Sequence, residues 1–257
     1  MRSIAHTPFL LLIGLLVLAS YARAEEPASE PAPYQEFKAY YDAKANGIGI
    51  GTVLISLQAE DAGRYRYQQE SISSGIARLF GGGTSVESSL WRFDQGQIQS
   101  LEYRSEREDG DDDDNARLIF DWDQHRVSNI GAGEHWDIAL PDGAIDRLTM
   151  QLAMLVDLRQ GKTSFSYQVP RQGRIKDYSF TLLGQDEVEL TSGIYNTLKV
   201  GRTNDDQDQS WIWCAPELDY FPVRFLKQKQ SGIKLELILR KLDFAPFGDA
   251  TSLEVVP

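Results

Sequence analysis

The sequence predicts an all-β fold with one helix: a strongly curved antiparallel sheet forming a barrel or half-barrel, capped by one amphipathic helix. Three observations lead there. Apolar residues recur with a period of two over most of the chain, turn signals rich in Gly, Asn and Asp interrupt these runs at short intervals, and one stretch alone, 144–160, changes to the helical period. Around a dozen short strands joined by such turns make a sheet long enough to curl on itself.

The first 24 residues stand apart from that pattern. Arg2 and His6 precede an apolar run, Phe9–Leu18, and Ala22-Arg23-Ala24 follows with small residues at a cleavage position. This is the layout of a secretory signal peptide, and the run is too short for a permanent span of a ~30 Å bilayer. The expectation is cleavage after Ala24. Residues 25–33, rich in Pro and Glu, read as a disordered leader, 34–244 as a single β-rich domain and 245–257 as a loose C-terminal tail.

Cleavage leaves 233 residues, enough to bury a sizeable core without a metal or disulfide. Cys214 is the one cysteine, so no intrachain disulfide forms and no thiol near the new N-terminus is placed to carry a lipid. No later segment approaches the ~18 consecutive apolar residues of a spanning helix, so an integral membrane protein is not expected after cleavage. Losing Arg2 and Arg23 takes the formal net charge from −12 to −14. That field argues against nucleic acid and anionic headgroups as partners.

The strands are legible one by one. In Phe37–Ala43 the odd positions form the less polar face. Val53, Ile55 and Leu57 alternate with Leu54, Ser56 and Gln58, and Tyr65 and Tyr67 with Arg64, Arg66 and Gln68. Ile233, Leu235, Leu237 and Leu239 form the cleanest half-buried face; the phase then slips across Arg240-Lys241 to Leu242 and Phe244. A one-residue slip predicts a β-bulge there, and bulges bend sheets. Asn46-Gly47, Ala62-Gly63, Asp94-Gln95-Gly96, Pro141-Asp142-Gly143 and Ser231-Gly232 supply turns.

In the helical stretch, Ile145, Leu148, Leu152, Leu155 and Val156 share a stripe, while Asp146, Arg147, Gln151, Asp157 and Arg159 fall mostly off it. Asp142 is placed to cap the start and Gly161 to supply a left-handed C-terminal residue.

Catalytic patterns are sparse. His125 and His135 lack zinc-type spacing, and His125 sits in a hairpin turn. There is no Gly-x-Ser-x-Gly elbow, since Gly83-Thr84-Ser85 lacks the closing glycine. Gly81-Gly82-Gly83 has no strand–loop–helix context for a phosphate cradle, and the apolar Gly75–Phe80 segment reads as a short buried turn in preference to a flap. Two acidic runs, 108–114 and 204–208, offer oxygen ligands for calcium. Counting from Asp111, however, Ala116 holds the place of the loop glycine and Trp122 that of the closing glutamate. They read as solvated hairpin tips. No cofactor, no metal site and no catalytic residue is expected.

Phe120-Asp121-Trp122, Asp146-Arg147-Leu148-Thr149, Leu158-Arg159, Trp211-Ile212-Trp213-Cys214-Ala215-Pro216 and Tyr220-Phe221-Pro222-Val223-Arg224 occur in that order. In this order the chain resembles the exported bacterial family catalogued as domain of unknown function 3108, over roughly Tyr34 to Phe244. The resemblance implies a periplasmic β-rich domain of a Gram-negative bacterium and carries no established catalytic residues. Trp211 and Trp213 share a strand face, Pro216 ends that strand, and Pro222 requires an edge or first position in the next.

A curved sheet closed by a helix is similar in outline to periplasmic carriers of lipids and lipoproteins, a likeness that does not establish function. The sequence accordingly predicts a periplasmic, non-catalytic binding protein for a lipid or another apolar envelope ligand. Candidate lining residues are Tyr41, Phe93, Tyr103, Trp122, Trp136, Leu152 and Leu155. The alternative is an envelope structural or interaction protein with a filled core, meeting an envelope protein through its surface. A carboxylate-based glycan hydrolase is the third reading; it needs two carboxyls ~5–9.5 Å apart, a distance no sequence supplies.

Overall fold

A computed structural model describes residues 35–75, 83–108, 115–131, 134–203, 208–245 and the backbone of 252–253. The predicted signal peptide and leader, Ile76–Phe80, most of both acidic runs and most of the tail lie outside the described residues.

Among the described residues, fourteen strands form one antiparallel sheet. The first eight run as a meander: β1 Phe37–Ala45, β2 Ile48–Ala59, β3 Arg64–Ser73, β4 Thr84–Asp94, β5 Gln97–Arg107, β6 Ala116–Asp121, β7 Arg126–Asn129 and β8 Trp136–Ala139. The helix α1, Thr149–Arg159, follows. A second meander comprises β9 Ser164–Arg171, β10 Arg174–Leu190, β11 Gly193–Arg202, β12 Gln209–Ala215, β13 Phe221–Gln228 and β14 Lys234–Phe244. Pairing of β1 with β14 joins the two, giving the order β8-β7-β6-β5-β4-β3-β2-β1-β14-β13-β12-β11-β10-β9, and a two-residue strand, Ser252–Leu253, adds to β14.

Among the described residues, strand pairing does not close the barrel: β8 and β9 are its two edges. They are drawn together by other contacts. Ile145 N donates to Gln168 O of β9 at 3.0 Å, and the Trp136 indole of β8 lies against Gly173 in the β9–β10 turn.

The curvature has identifiable sources. Tyr40 pairs with Lys241 but Tyr41 with Leu239, leaving Arg240 as the extra residue of a bulge. This is the expected phase slip, and it keeps Leu239 and Leu242 both buried on the inner face. Ile50, Leu101, Leu183 and Val223 are similarly extra residues in their pairs. Pro222 falls at the last of these irregularities, where its missing N–H breaks no regular ladder. Ile233 proves to precede β14 and is exposed, so the clean face begins at Leu235.

The helix closes the sheet from within. No residue of Thr149–Arg159 is exposed, and Met154 is buried along with Leu152, Leu155 and Leu158. Gln151 accepts from the Tyr67 hydroxyl of β3 at 3.3 Å and Asp157 from Tyr167 of β9 at 2.6 Å. A helix packed into the concavity of a sheet has no fully exposed face, which is why the simple stripe understates its burial.

Its start is also later than the periodicity predicts. Residues 144–148 form a non-helical lead, buried except at Arg147, and Asp142 is exposed rather than capping. Asp146 caps the helix instead, its Oδ1 accepting from Leu148 N at 2.8 Å and Thr149 N at 2.9 Å. The C-terminus follows the expected form. Gly161 has φ +75°, its N–H reaches Leu158 O and that of Lys162 reaches Asp157 O.

Candidate functional site

Alternation along the strands decides which side chains face the concavity, and the two ends of the half-barrel fill it differently. At the end holding α1, Phe37 meets Phe221 edge-on at 4.9 Å, and Tyr65 stacks on Trp91 at 4.9 Å. At the end formed by the β1–β2 and β13–β14 turns, the inward positions carry Ala43, Gly51, Ser71, Ser73 and Ser210. Gly51 is required there, because a Cβ would stand 2.2 Å from Ile72 O. Small side chains cannot span the curved sheet, and an apolar groove of about 410 Å³ remains. Val53, Ile212, Phe225, Leu235 and Leu237 supply its apolar walls.

The seam between β8 and β9 has a second opening at the same end, about 390 Å³, of different character. Tyr103, Asn129, Trp136, Arg147, Val169 and Arg171 line it. Glu87 of β4 organises its inner side: Oε2 accepts from the Tyr103 hydroxyl at 2.8 Å, and Oε1 lies 3.2 Å from Arg147 Nη2. Burial pushes the Tyr103 phenol well above its ordinary range, so it remains a donor. Burial also works against the Arg147 charge, but Glu87, Tyr103 and Tyr178 outweigh it and keep the guanidinium firmly cationic. More than half of the Arg147 side chain stays exposed to the cleft.

The predicted lining residues divide among several places. Tyr103 and Trp136 come together in the seam cleft. Tyr41 lies in the core behind the apolar groove, edge-on to Phe225 at 5.7 Å, with its hydroxyl donating to Pro222 O. Leu152 and Leu155 are helix core residues. Phe93 borders a cleft of about 440 Å³ at the opposite end, with Ile145, Val156 and Tyr167. Trp122 edges a smaller recess of about 180 Å³ beside Gly143, its indole N–H bonded to Ser100 O.

Sequence patterns did not single out Arg171, Arg202 or Glu87. For the two arginines a signal exists: Arg171 continues the buried phase of Phe165, Tyr167 and Val169, and Arg202 that of Val200. A charge in phase with a core face marks the place where the core opens to water.

Ser89, Ser100, Asp146 and Thr149 form a separate polar cluster with zero exposure. Sealed from solvent, it fixes the helix lead to β4 and β5. His125 is an exposed turn residue, 3.5 Å from Asp142. Among the described residues no three His, Cys, Asp or Glu side chains converge as metal ligands, and no helix is long and apolar enough to cross a membrane.

Fold and openings together define a β-rich protein built as an unclosed barrel around one internal helix. The chain belongs to the family described as protein of unknown function DUF3108, whose model matches residues 36–238. No curated protein matches it. Its architecture is similar to the crystal structure of a beta-barrel-like protein of domain of unknown function DUF1849 from Brucella abortus. That likeness covers 82% of this chain and 98% of the other, with a TM-score of 0.50 and 9% identity. A crystal structure described as a "putative lipoprotein" from Parabacteroides distasonis covers 83% and 97%, with a TM-score of 0.34 and 7% identity. The first is a likeness of fold alone; the second carries no argument.

Proposed function

We propose that the protein is an exported, periplasmic, non-catalytic binding protein that carries a lipid or another apolar envelope ligand against the concave face of its sheet. The observation that carries this reading is the apolar groove left open between β1–β3 and β12–β14. Its volume falls within the ~300–1,000 Å³ of typical ligand sites. Inward-facing Phe225, Leu235 and Leu237 remain only partly covered there, and covering them with an acyl chain removes apolar surface from water. Tyr41 backs this groove, Tyr103 and Trp136 line the neighbouring cleft, and Leu152 and Leu155 hold the helix beneath the concavity.

A second reading, contact with an envelope protein, draws on Ile48, Ile72 and Ile233, which are 63%, 45% and 41% exposed at the rim of the groove.

Native mass spectrometry of the protein recovered from periplasm tests the first reading. A stoichiometric adduct that extracts into organic solvent supports it. A bare mass that takes up neither added phospholipid nor fatty acid refutes it and turns attention to the rim.

A further inference from the structure

We propose that the cleft between the β4–β5 turn, α1 and β9 is a binding site for a neutral glycan, separate from the acyl groove and at the other end of the half-barrel. Every loop that joins two elements at this end lies within the described residues. Phe93, Gln95, Gln97, Val156, Gln160 and Tyr167 line the cleft, which measures about 440 Å³. A recess of about 180 Å³ continues from it, sharing Gln95, Gln97, Ile98 and Gly143 and adding Asp94 and Trp122.

The charges of the cleft are spent on one another. Asp157 Oδ1 lies 2.5 Å from Lys162 Nζ, and Oδ2 accepts from the Tyr167 hydroxyl at 2.6 Å. Asp94 is the other charged lining residue, with no hydrogen-bond or ionic partner among the described residues. An anionic ligand therefore finds no free cation here and one carboxylate against it.

What remains available is neutral. The side chains of Gln95, Gln97 and Gln160 are exposed and have no partner among the described residues. A primary amide offers two N–H donors and a carbonyl acceptor, and a sugar hydroxyl likewise donates and accepts, so each can meet the other in either sense. Phe93, Val156 and Tyr167 add apolar surface. Trp122 is half-buried and its N–H is committed to Ser100 O at 2.8 Å, which leaves only the ring for a ligand. Apolar and aromatic surface beside unpaired amides suits a pyranose, which carries hydroxyls at its rim and C–H bonds on its faces. An extended peptide would instead add to a strand edge. The edge strand that borders the cleft, β9, already gives Gln168 O to Ile145 N.

The test is a titration of the purified protein, followed by NMR, with cellotriose, triacetylchitotriose, trigalacturonate and tetra-alanine. At least one neutral trisaccharide is expected to bind saturably, with a dissociation constant of about 1 mM or tighter, and to shift the side-chain amides of Gln95, Gln97 and Gln160 and the Trp122 indole. The Gln97→Ala/Gln160→Ala variant should keep its thermal midpoint, because both residues are exposed, and bind about tenfold more weakly. Four results overturn the proposal: no saturable response to either neutral trisaccharide, shifts confined to other parts of the protein, binding unchanged in the variant, or an equal response to trigalacturonate or tetra-alanine. The acyl groove takes no part in this experiment, so the carrier reading stands or falls separately.

Discussion

Ser100 and Asp146 grip each other twice: Ser100 Oγ donates to Asp146 Oδ2 at 2.6 Å and accepts from Asp146 N at 2.9 Å. Ser89 Oγ adds a 2.5 Å bond to the same carboxylate oxygen, while Oδ1 caps the start of α1. One buried side chain thus ties β4 and β5 to the helix that floors the concavity.

Replacing Asp146 with Ala is therefore expected to be severe. Two buried hydroxyls and two backbone N–H groups lose their acceptor, at a cost of roughly 3 kcal/mol or more. Urea denaturation should show the midpoint falling with little change in slope. A loss below about 0.5 kcal/mol would show that the cluster does not hold the helix.

Glu102, on the outer face of β5, gives a pH-dependent counterpart. Burial opposes its charge, but Arg104 at 2.7 Å and Arg117 at 2.6 Å outweigh this and hold its carboxyl below the ordinary carboxylate value near 4.5. A depressed folded-state value stabilises the fold above about pH 4.5 and ceases to do so as the pH falls through the folded value. Glu102→Gln should cost about 1 kcal/mol or less at pH 7, since both arginines are largely solvated. The difference from wild type should narrow as acid protonates Glu102. A gap independent of pH would assign the effect to packing.

Cys214 is fully buried, and burial pushes its thiol up to about 12. Only the thiolate reacts readily, so native protein should resist iodoacetamide at pH 7.5 and react completely in guanidinium chloride. Rapid native labelling would mean that β12 opens easily.

The small side chains lining the groove make a filling mutation informative. Ser71 lies opposite Val53 in the β2–β3 pair and faces the open end. Ser71→Phe should occupy the space now available to a ligand and abolish apolar binding, while the thermal midpoint stays within a few degrees of wild type. Unchanged binding would place the ligand elsewhere.

Much of this architecture is written in local patterns. The bulge at Arg240 is legible because a period-two face changes phase within one strand, and the Gly161 cap because a left-handed residue must follow the helix. Asp146 escapes such patterns for a physical reason: a helical projection places it off the stripe, but it lies in the non-helical lead, where that projection does not apply. The openings are harder to see. A groove arises from small residues on four strands facing larger ones on two others, and neither Ser71 nor Ala43 announces which positions it will face. Phe93 and Trp122 match the aromatic pattern of a lining yet sit at the other end, because alternation gives the face of a sheet and not the height along it.

The most direct test of a ligand held in the concavity is photolabelling with an acyl chain bearing a diazirine, followed by peptide mapping. Binding in the groove predicts insertion into β13 and β14, at Phe225–Lys227 and Leu235–Leu237, and its loss in Ser71→Phe. Insertion confined to the convex face, around Trp213 and Arg224, would contradict it.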